Sequence, residues 1–578
     1  MIEASGTPSE EDMASQPVYD VIVVGSGASG GVAAYVLASQ GLNVLCLEAG
    51  RPVDAAVDFY THKMPFEWPY RGRGKPGQNG KLPQGMAWKI TEWTDHLYTI
   101  PQEDPYALAP GSKFTWTRMR LVGGRTNVWG RSCDRFGPLD FKAKSQQDGF
   151  GEDWPVTYDD VAPYYDRIEK LMGVSGISDG VYNSPCGTNL LPGFRPRCGE
   201  WLVKHGAEKL GIKVLPLQLA VISQDYDGRP ACHYCGACNN GCDTASRFSS
   251  PDVLVPKLEK LKNFTLRTHA VVNTVLMDKN TGKARGVTYI DANNRQEYEA
   301  YGKAVVLGAS MVESLRVLFN SRTRDYPEGL ANSSGVLGKY LSDHVAFNSI
   351  AGFLPQLAGR PTTNDDGPGE ASLYIPRYNY GHGDKTRFLR GFRLMFHSGC
   401  GMGPGVGASF PGFGSAYKKR IKDLYPANVG IGGMGEGLAF PWNYVEIDPG
   451  GLRDRYGIPQ VRFHTTAEYD QAFAMRDEMY GEMERILKAS GAEILPYKKV
   501  APYPLGSITH EAGGARMGDD PKTSVLDAWN RCHDVKNLLV VDAACFVTHP
   551  EKHPTLTIMA LAYRAADHLA EEIRAGNV

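Results

Sequence analysis

The stretch "YDVIVVGSGASGGVAAYVLASQGLNVLCLEAG", Tyr19 to Gly50, constrains the fold of this chain more than any other part of it. An apolar strand, Val21 to Val24, runs into a glycine turn, then an alanine-rich helix from about Gly31 to Gln40, then a second strand ending at Glu48. Gly25, Gly27 and Gly30 spell G-x-G-x-x-G, with Ser29 inside the turn. In such a strand-turn-helix-strand unit the first glycine permits the turn, the second lets backbone approach a pyrophosphate, and the third lets helix and strand pack closely. The helix N-terminus then faces the phosphates, and Glu48 stands where ribose hydroxyls are bound. The fingerprint predicts a dinucleotide and leaves NAD and FAD both open.

At 578 residues the chain exceeds the size at which one hydrophobic core stops growing, so two joined domains or one domain with large insertions are expected. With 62 Lys plus Arg against 64 Asp plus Glu there is no basic field to hold nucleic acid or anionic lipid, which points to a small-molecule ligand. The first residues, "MIEASGTPSEEDMASQP", have neither the basic start nor the apolar core of a secretory signal, so the chain is not expected to export itself. No apolar run is long enough for a transmembrane segment.

Residues from about Arg51 to Pro110 read as a long irregular excursion rich in Gly, Pro, Trp and Tyr. From about 264 to 309 the sequence alternates ("FTLRTHAVVNTVLMD", "ARGVTYID", "KAVVLGAS"), as in a strand meander that returns to the nucleotide domain. Residues 346 to 500, with segments such as "NYVEIDP" and "PQVRFHT", suggest a second, mainly antiparallel domain. No internal repeat or low-complexity tract is present.

Four of the eleven cysteines crowd into "CHYCGACNNGC": Cys232, Cys235, Cys238 and Cys242, spaced C-x2-C-x2-C-x3-C and followed by Asp243. This is a ferredoxin-type spacing, in which short loops let successive thiolates face one iron-sulfur cluster. Either [4Fe-4S] or [3Fe-4S] is compatible. Structural zinc and reduced structural cysteines are the competing readings, although tetrahedral zinc usually takes two C-x2-C pairs set apart.

Seven further segments carry a family resemblance: "GSGASGG", "LVGGRTNVWG" (Leu121 to Gly130), "VVLGASMVESLRVL", "GKYLSDH", "HEAGGARMG", "VVDAACF" and "HPTLTIMALAYRAAD". In this order, from about residue 20 to 570, they resemble the glucose-methanol-choline (GMC) oxidoreductases, FAD enzymes that oxidise alcohols and sugars. The branch most similar contains gluconate, glucose and glucoside dehydrogenases and pyranose oxidase-like enzymes.

The resemblance implies an α/β fold, a Rossmann-like FAD-binding domain joined to a mainly antiparallel-sheet substrate domain. The expected division is 18–135, 246–345 and 501–578 for the FAD-binding domain, 136–245 for an insertion with the cysteines that lies partly on the substrate side, and 346–500 for the substrate domain. It places a catalytic histidine at His510 and a second at His553, where many members of the branch have Asn. Oxidising a secondary hydroxyl releases a proton as hydride leaves the carbon for flavin N5; histidine is suited to accept that proton near neutral pH, with His553 orienting the same hydroxyl.

By the same resemblance Pro554 and Thr555 open a helix aimed at the flavin, and Asp542 and Ala543 lie near its pyrophosphate or ribityl chain. Gly123, Gly124, Asn127 and Trp129 belong to a loop over the flavin ring. In pyranose oxidases a histidine of this loop bonds the flavin covalently; Val128 stands at the matching position, which implies noncovalent FAD.

The function implied is dehydrogenation of a sugar or glycoside, with C3 of glucosides preferred, and electrons leaving through the iron-sulfur cluster to a cytochrome or quinone. A peroxide-forming carbohydrate oxidase with structural cysteines is the alternative; a noncatalytic subunit and an NAD-linked enzyme fit the C-terminal motifs less well. The branch also implies a small export subunit as partner, hence the periplasm; without it, the cytoplasm.

Overall fold

The computed structural model describes residues 18–60, 63, 67, 68, 70, 71, 90–178, 180–347, 349–361, 371–377, 387–398 and 410–578. At its centre, β1 (Val18–Val24) carries Val21, Ile22 and Val23 with no exposed surface. A strand apolar on both faces belongs inside a parallel sheet covered on both sides. The chain turns at Gly25 into helix α1 (Ala28–Ser39) and returns as β2 (Val44–Leu47), parallel to β1. The helix starts at Ala28, some three residues earlier than the sequence suggested, directly after the second glycine.

The remaining strands of this sheet come from far along the chain. β3 (Phe264–Arg267) pairs with β2, then β4 (Ala270–Met277) and β5 (Ala284–Asp291) form the meander, and β6 (Glu297–Leu307) returns beside β1. The strand order is β3-β2-β1-β6-β5-β4, and the short strand Leu538–Val540 lies parallel to the end of β6. Helix α2 (Met311–Asn320) follows β6.

A second seven-stranded sheet contains β7 (Ile350–Phe353), β8 (Ala371–Ile375), β9 (Phe392–Ser398) and β10 (Asn428–Gly435) in the order β7-β10-β9-β8, all antiparallel. Helix α3 (Asp470–Ala489) packs on β10, where a side chain has no room: a Cβ at Gly433 would lie 2.5 Å from the Met479 sulfur, and one at Gly435 2.2 Å from that of Met475. Glycines on β10 therefore let the methionines of α3 seat against the strand itself.

Two segments expected in this second sheet lie elsewhere. Tyr444–Ile447 and Val461–His464 pair with each other and with Ala107–Leu108 as a separate three-stranded sheet. Their buried residues Val445, Val461 and Phe463 join the nucleotide-side core, with Phe463 stacked 3.9 Å from Phe114. Alternation identifies a strand but carries no information about its partner. The last helix, α4 (Thr555–Ala575), packs on α1 and on the helix Tyr158–Met172. Among the described residues, no helix is long and apolar enough to cross a membrane.

Candidate active site

A cavity of about 610 Å³ opens at the carboxyl ends of β1 and β2 and continues to the face of the antiparallel sheet. Gly25, Gly27, Ser29 and Glu48 line one end. Gly25 has φ +92°, in the left-handed region, and a Cβ there would meet the Gly308 carbonyl oxygen at 2.6 Å. Gly30 lies behind the wall, where a Cβ would sit 2.0 Å from the Gly25 oxygen, while Gly27 faces open space with only the Gly123 oxygen at 3.8 Å. No side chain caps α1, so its first backbone N–H groups remain available to an anion. A dinucleotide pyrophosphate fits this arrangement of tight packing behind and open backbone in front.

Glu48 is held by the chain itself, accepting from Ser26 N (3.0 Å), Ser26 Oγ (2.6 Å) and Gly50 N (2.8 Å). Burial pushes its carboxyl up against the pull of these donors. Asp542 and Ala543 also line the cavity; burial lifts the Asp542 carboxyl to about 6, opposed by donation from Ser314 Oγ (2.5 Å) and Ala544 N (3.0 Å).

At the other end His510 and His553 meet, with ring centroids 5.3 Å apart and planes at 87°. Each has a different partner behind it. His553 Nδ1 lies 2.7 Å from Asp134 Oδ2, and Arg393 grips that carboxylate through two bonds of 2.6 and 3.0 Å. Burial would raise the Asp134 carboxyl, but Arg393 and His553 outweigh it and hold it well below the usual range. His510 Nδ1 lies 3.1 Å from Nδ1 of His344, a buried imidazole that burial and the neighbouring His549 keep well below its ordinary pKa.

The backbone that aims His510 is strained. Thr509 has φ +63°, a left-handed conformation that costs a β-branched residue roughly 1–3 kcal/mol and persists only where the surroundings impose it. Arg125 supplies part of that constraint, donating to Thr509 O (3.3 Å) and pairing with Glu511 Oε1 (2.7 Å). Pro554 caps α4 and, with Thr555, lines the cavity between His553 and the nucleotide end.

The family's N-terminal model, described as GMC oxidoreductase, matches residues 19–346, and its C-terminal model matches residues 440–562. The chain belongs to the GMC oxidoreductase family. Enzymes of this family bind FAD and act on hydroxyl groups. It is 30% identical to the 2-methyl-1,2-propanediol dehydrogenase of Mycolicibacterium austroafricanum over 95% of each chain. It is 27% identical to the fructose dehydrogenase large subunit of Gluconobacter japonicus, covering 96% of this chain and 98% of that one. Among solved structures, pyridoxine 4-oxidase from Mesorbium loti superposes with a TM-score of 0.57 at 18% identity, covering 95% of this chain and 99% of that chain, a likeness of fold.

In this GMC oxidoreductase two residues of the glycine loop, Gly123 and Asn127, do not line the cavity. Gly124, Val128 and Trp129 line the cavity, but Asn127 is turned inward, its amide donating to Val122 O (2.9 Å) and Gly124 O (2.8 Å). The amide nitrogen thus satisfies one carbonyl of the 3-10 turn Gly124–Asn127 and one just before it. Gly123 sits behind the wall and donates its N–H to Ser26 Oγ (2.9 Å), linking the loop to Glu48.

The cysteine segment packs directly against that loop. Arg247, fully buried, donates to Thr126 O (3.0 Å) and Asn127 O (2.5 Å), while its backbone N–H donates to Cys242 Sγ (3.5 Å). Cys232 Sγ accepts from Tyr234 N (3.4 Å), and Cys235 accepts from the backbone of Ala237. Asn239, between Cys238 and Cys242, lines the cavity. The four sulfurs do not gather within 4.8 Å of one another; among the described residues only Asp343, His344 and His549 do so as potential ligands. Burial pushes the Cys232 thiol up to about 12.

His344, Asp134, Arg393 and Arg125 were missed as site residues by sequence reasoning. His344 lies inside the quoted "GKYLSDH", so its signal was present; Asp134 and Arg393 stand in no recognisable motif.

Proposed function

We propose that this protein is an FAD-dependent dehydrogenase that oxidises a secondary hydroxyl of a sugar or glycoside. The observation that carries this reading is the meeting of His510 and His553 at one end of a cavity whose other end is the G-x-G-x-x-G turn and Glu48. FAD, noncovalently bound there, supplies the hydride acceptor. Nothing nucleophilic stands at Val128 to bond it.

His510, on the cavity wall, takes the hydroxyl proton, and His553, braced by Asp134 and Arg393, holds the same oxygen. The opposite wall sets His397 of β9, Gly432 of β10 and Ser349 among Met395, Phe347, Met434 and Tyr503, so a few polar groups stand among apolar and aromatic side chains. Such a wall suits a sugar ring, which presents hydroxyls at its edge and apolar C–H groups on its faces. Among sugars, oxidation at C3 of a glucoside is the preferred case, by the family branch the motifs resemble.

Cys232, Cys235, Cys238 and Cys242 would hold an iron-sulfur cluster, whose chemistry is one-electron transfer to a protein or quinone acceptor. Backbone N–H donation to three of the four sulfurs supports this, because such donors stabilise metal-bound thiolate. A relative named as a large subunit supports a smaller partner chain.

The test is anaerobic mixing of the flavin-loaded protein with methyl β-D-glucoside, D-glucose, D-fructose, D-gluconate and 2-methyl-1,2-propanediol, following loss of the flavin band, with iron and electron paramagnetic resonance measured on the same sample. Bleaching by a sugar, a cluster signal and turnover with dye are expected. Bleaching by none of the sugars would remove the substrate class, and rapid peroxide formation in air without iron would replace the dehydrogenase by an oxidase.

A further inference from the structure

Three chain segments converge behind His510, and their hydrogen bonds permit one protonation pattern. Nε2 of His344 lies 2.9 Å from the Pro550 carbonyl oxygen, which can only accept, so Nε2 carries the hydrogen. A neutral imidazole with Nε2–H has its lone pair on Nδ1, and that atom lies 3.1 Å from Nδ1 of His510. Nδ1 of His510 is therefore the donor to His344, which places the lone pair of a neutral His510 ring on Nε2. The reverse pattern would point the His344 Nε2 lone pair at a carbonyl oxygen.

The backbone fixes these partners in register. Ser342 and Ala512 exchange two bonds, Ser342 N to Ala512 O (3.0 Å) and Ala512 N to Ser342 O (2.9 Å), two residues from each histidine. The Asp343 carboxylate accepts from His344 N (2.7 Å) and Gly506 N (2.7 Å), tying the same two segments again. Full burial beside His549 keeps His344 uncharged, so it accepts from His510 and does not compete for the proton.

We propose that His344 is a positioning residue that locks His510 in the Nδ1–H tautomer and so presents its Nε2 lone pair to the substrate hydroxyl. This rests on the reading of His510 as proton acceptor. His344 lies outside the cavity wall and acts only through His510. The two histidines of the site are thus oriented differently, one by a neutral imidazole and one by a carboxylate.

The experiment uses flavin-loaded protein with 15N-labelled histidine, whose ring nitrogens distinguish the tautomers, together with anaerobic flavin reduction by methyl β-D-glucoside or D-fructose. His510→Ala assigns the His510 signals. The wild-type spectrum is expected to show His510 protonated at Nδ1 and bare at Nε2. His344→Leu, which removes the acceptor, should lose that signature and slow flavin reduction about 100-fold with little change in KM. His344→Gln should recover most of the rate, because a carboxamide can accept from His510 and donate to Pro550 at once.

An Nε2–H tautomer of His510 in the wild type, or an unchanged rate in flavin-loaded His344→Leu, would overturn the proposal. Should His344→Leu not fold, the wild-type spectrum and His344→Gln decide, and the spectrum needs no substrate. The underlying reading fails separately: fast reduction in His510→Ala removes the proton-acceptor role, whereas slow reduction there with unchanged His344→Leu removes only the positioning.

Discussion

The nucleotide end of the cavity and the cysteine segment are neighbours built on opposite principles. At the nucleotide end the chain completes its own geometry: Gly30 packs onto the Gly25 carbonyl, Ser26 bridges Glu48 to the glycine loop, and the carboxylates are bonded before any ligand arrives. In the cysteine segment, sulfurs accept N–H bonds of 3.4 and 3.5 Å and do not gather within 4.8 Å of one another, on a backbone with Tyr234 at φ +60° and Gly241 at φ +113°. One region is shaped by close packing together with its own hydrogen bonds; the other is a turn-rich backbone whose sulfurs have mainly backbone N–H partners. The first is ready for a ligand as it stands, whereas the cluster proposed for the second would have to draw its sulfurs together.

The comparison breaks hardest at Gly30. Gly30→Ala places a methyl against backbone that has no room to move, and we expect a loss of about 3 kcal/mol or more together with the bound flavin, measured by denaturant unfolding and flavin absorbance. Normal flavin content in this variant would show that the turn is not the tight element described.

A smaller effect is expected at Glu313, whose carboxyl lies among Arg316, Arg120 and Arg118 on the cavity wall. Burial opposes its ionisation, but the arginines hold it down at about 2. A depressed carboxyl contributes stability that is present above its unfolded value near 4.3 and is lost as pH falls toward 2. Glu313→Gln should therefore cost about 3 kcal/mol at pH 7, with the gap to wild type closing between roughly pH 5 and pH 2. A gap independent of pH would assign the cost to packing instead.

The smallest expected change sharpens the other side. Cys235 is exposed, so in metal-free protein Cys235→Ser should shift stability by less than about 0.5 kcal/mol. In iron-loaded protein the same substitution should release iron and lower the unfolding midpoint clearly. Equal, negligible shifts in both preparations would mean that Cys235 holds no metal.

Much of the nucleotide side was legible because its determinants are local. Glycine at Gly25 answers a left-handed φ, and period-two alternation announced the meander from Phe264 to Leu307. The second sheet was legible as a region, not strand by strand: Tyr444–Ile447 and Val461–His464 alternate as expected yet pack with Ala107–Leu108 on the nucleotide side. The inward bonds of Asn127 to the Val122 and Gly124 carbonyls were equally invisible, since a linear reading does not display which carbonyls an amide faces.

By itself, the sequence determined the dinucleotide turn, through residue type at short fixed spacing, and the family and the two histidines that line the cavity, through short motifs kept in one order along the chain. Tertiary structure alone decided what stands behind each histidine. Asp134 reaches His553 across 419 positions of chain, and His344 reaches His510 across 166. Contacts of that separation follow from how two sheets and their connecting loops close on one another, and no local pattern of hydrophobic period or glycine placement encodes that closure.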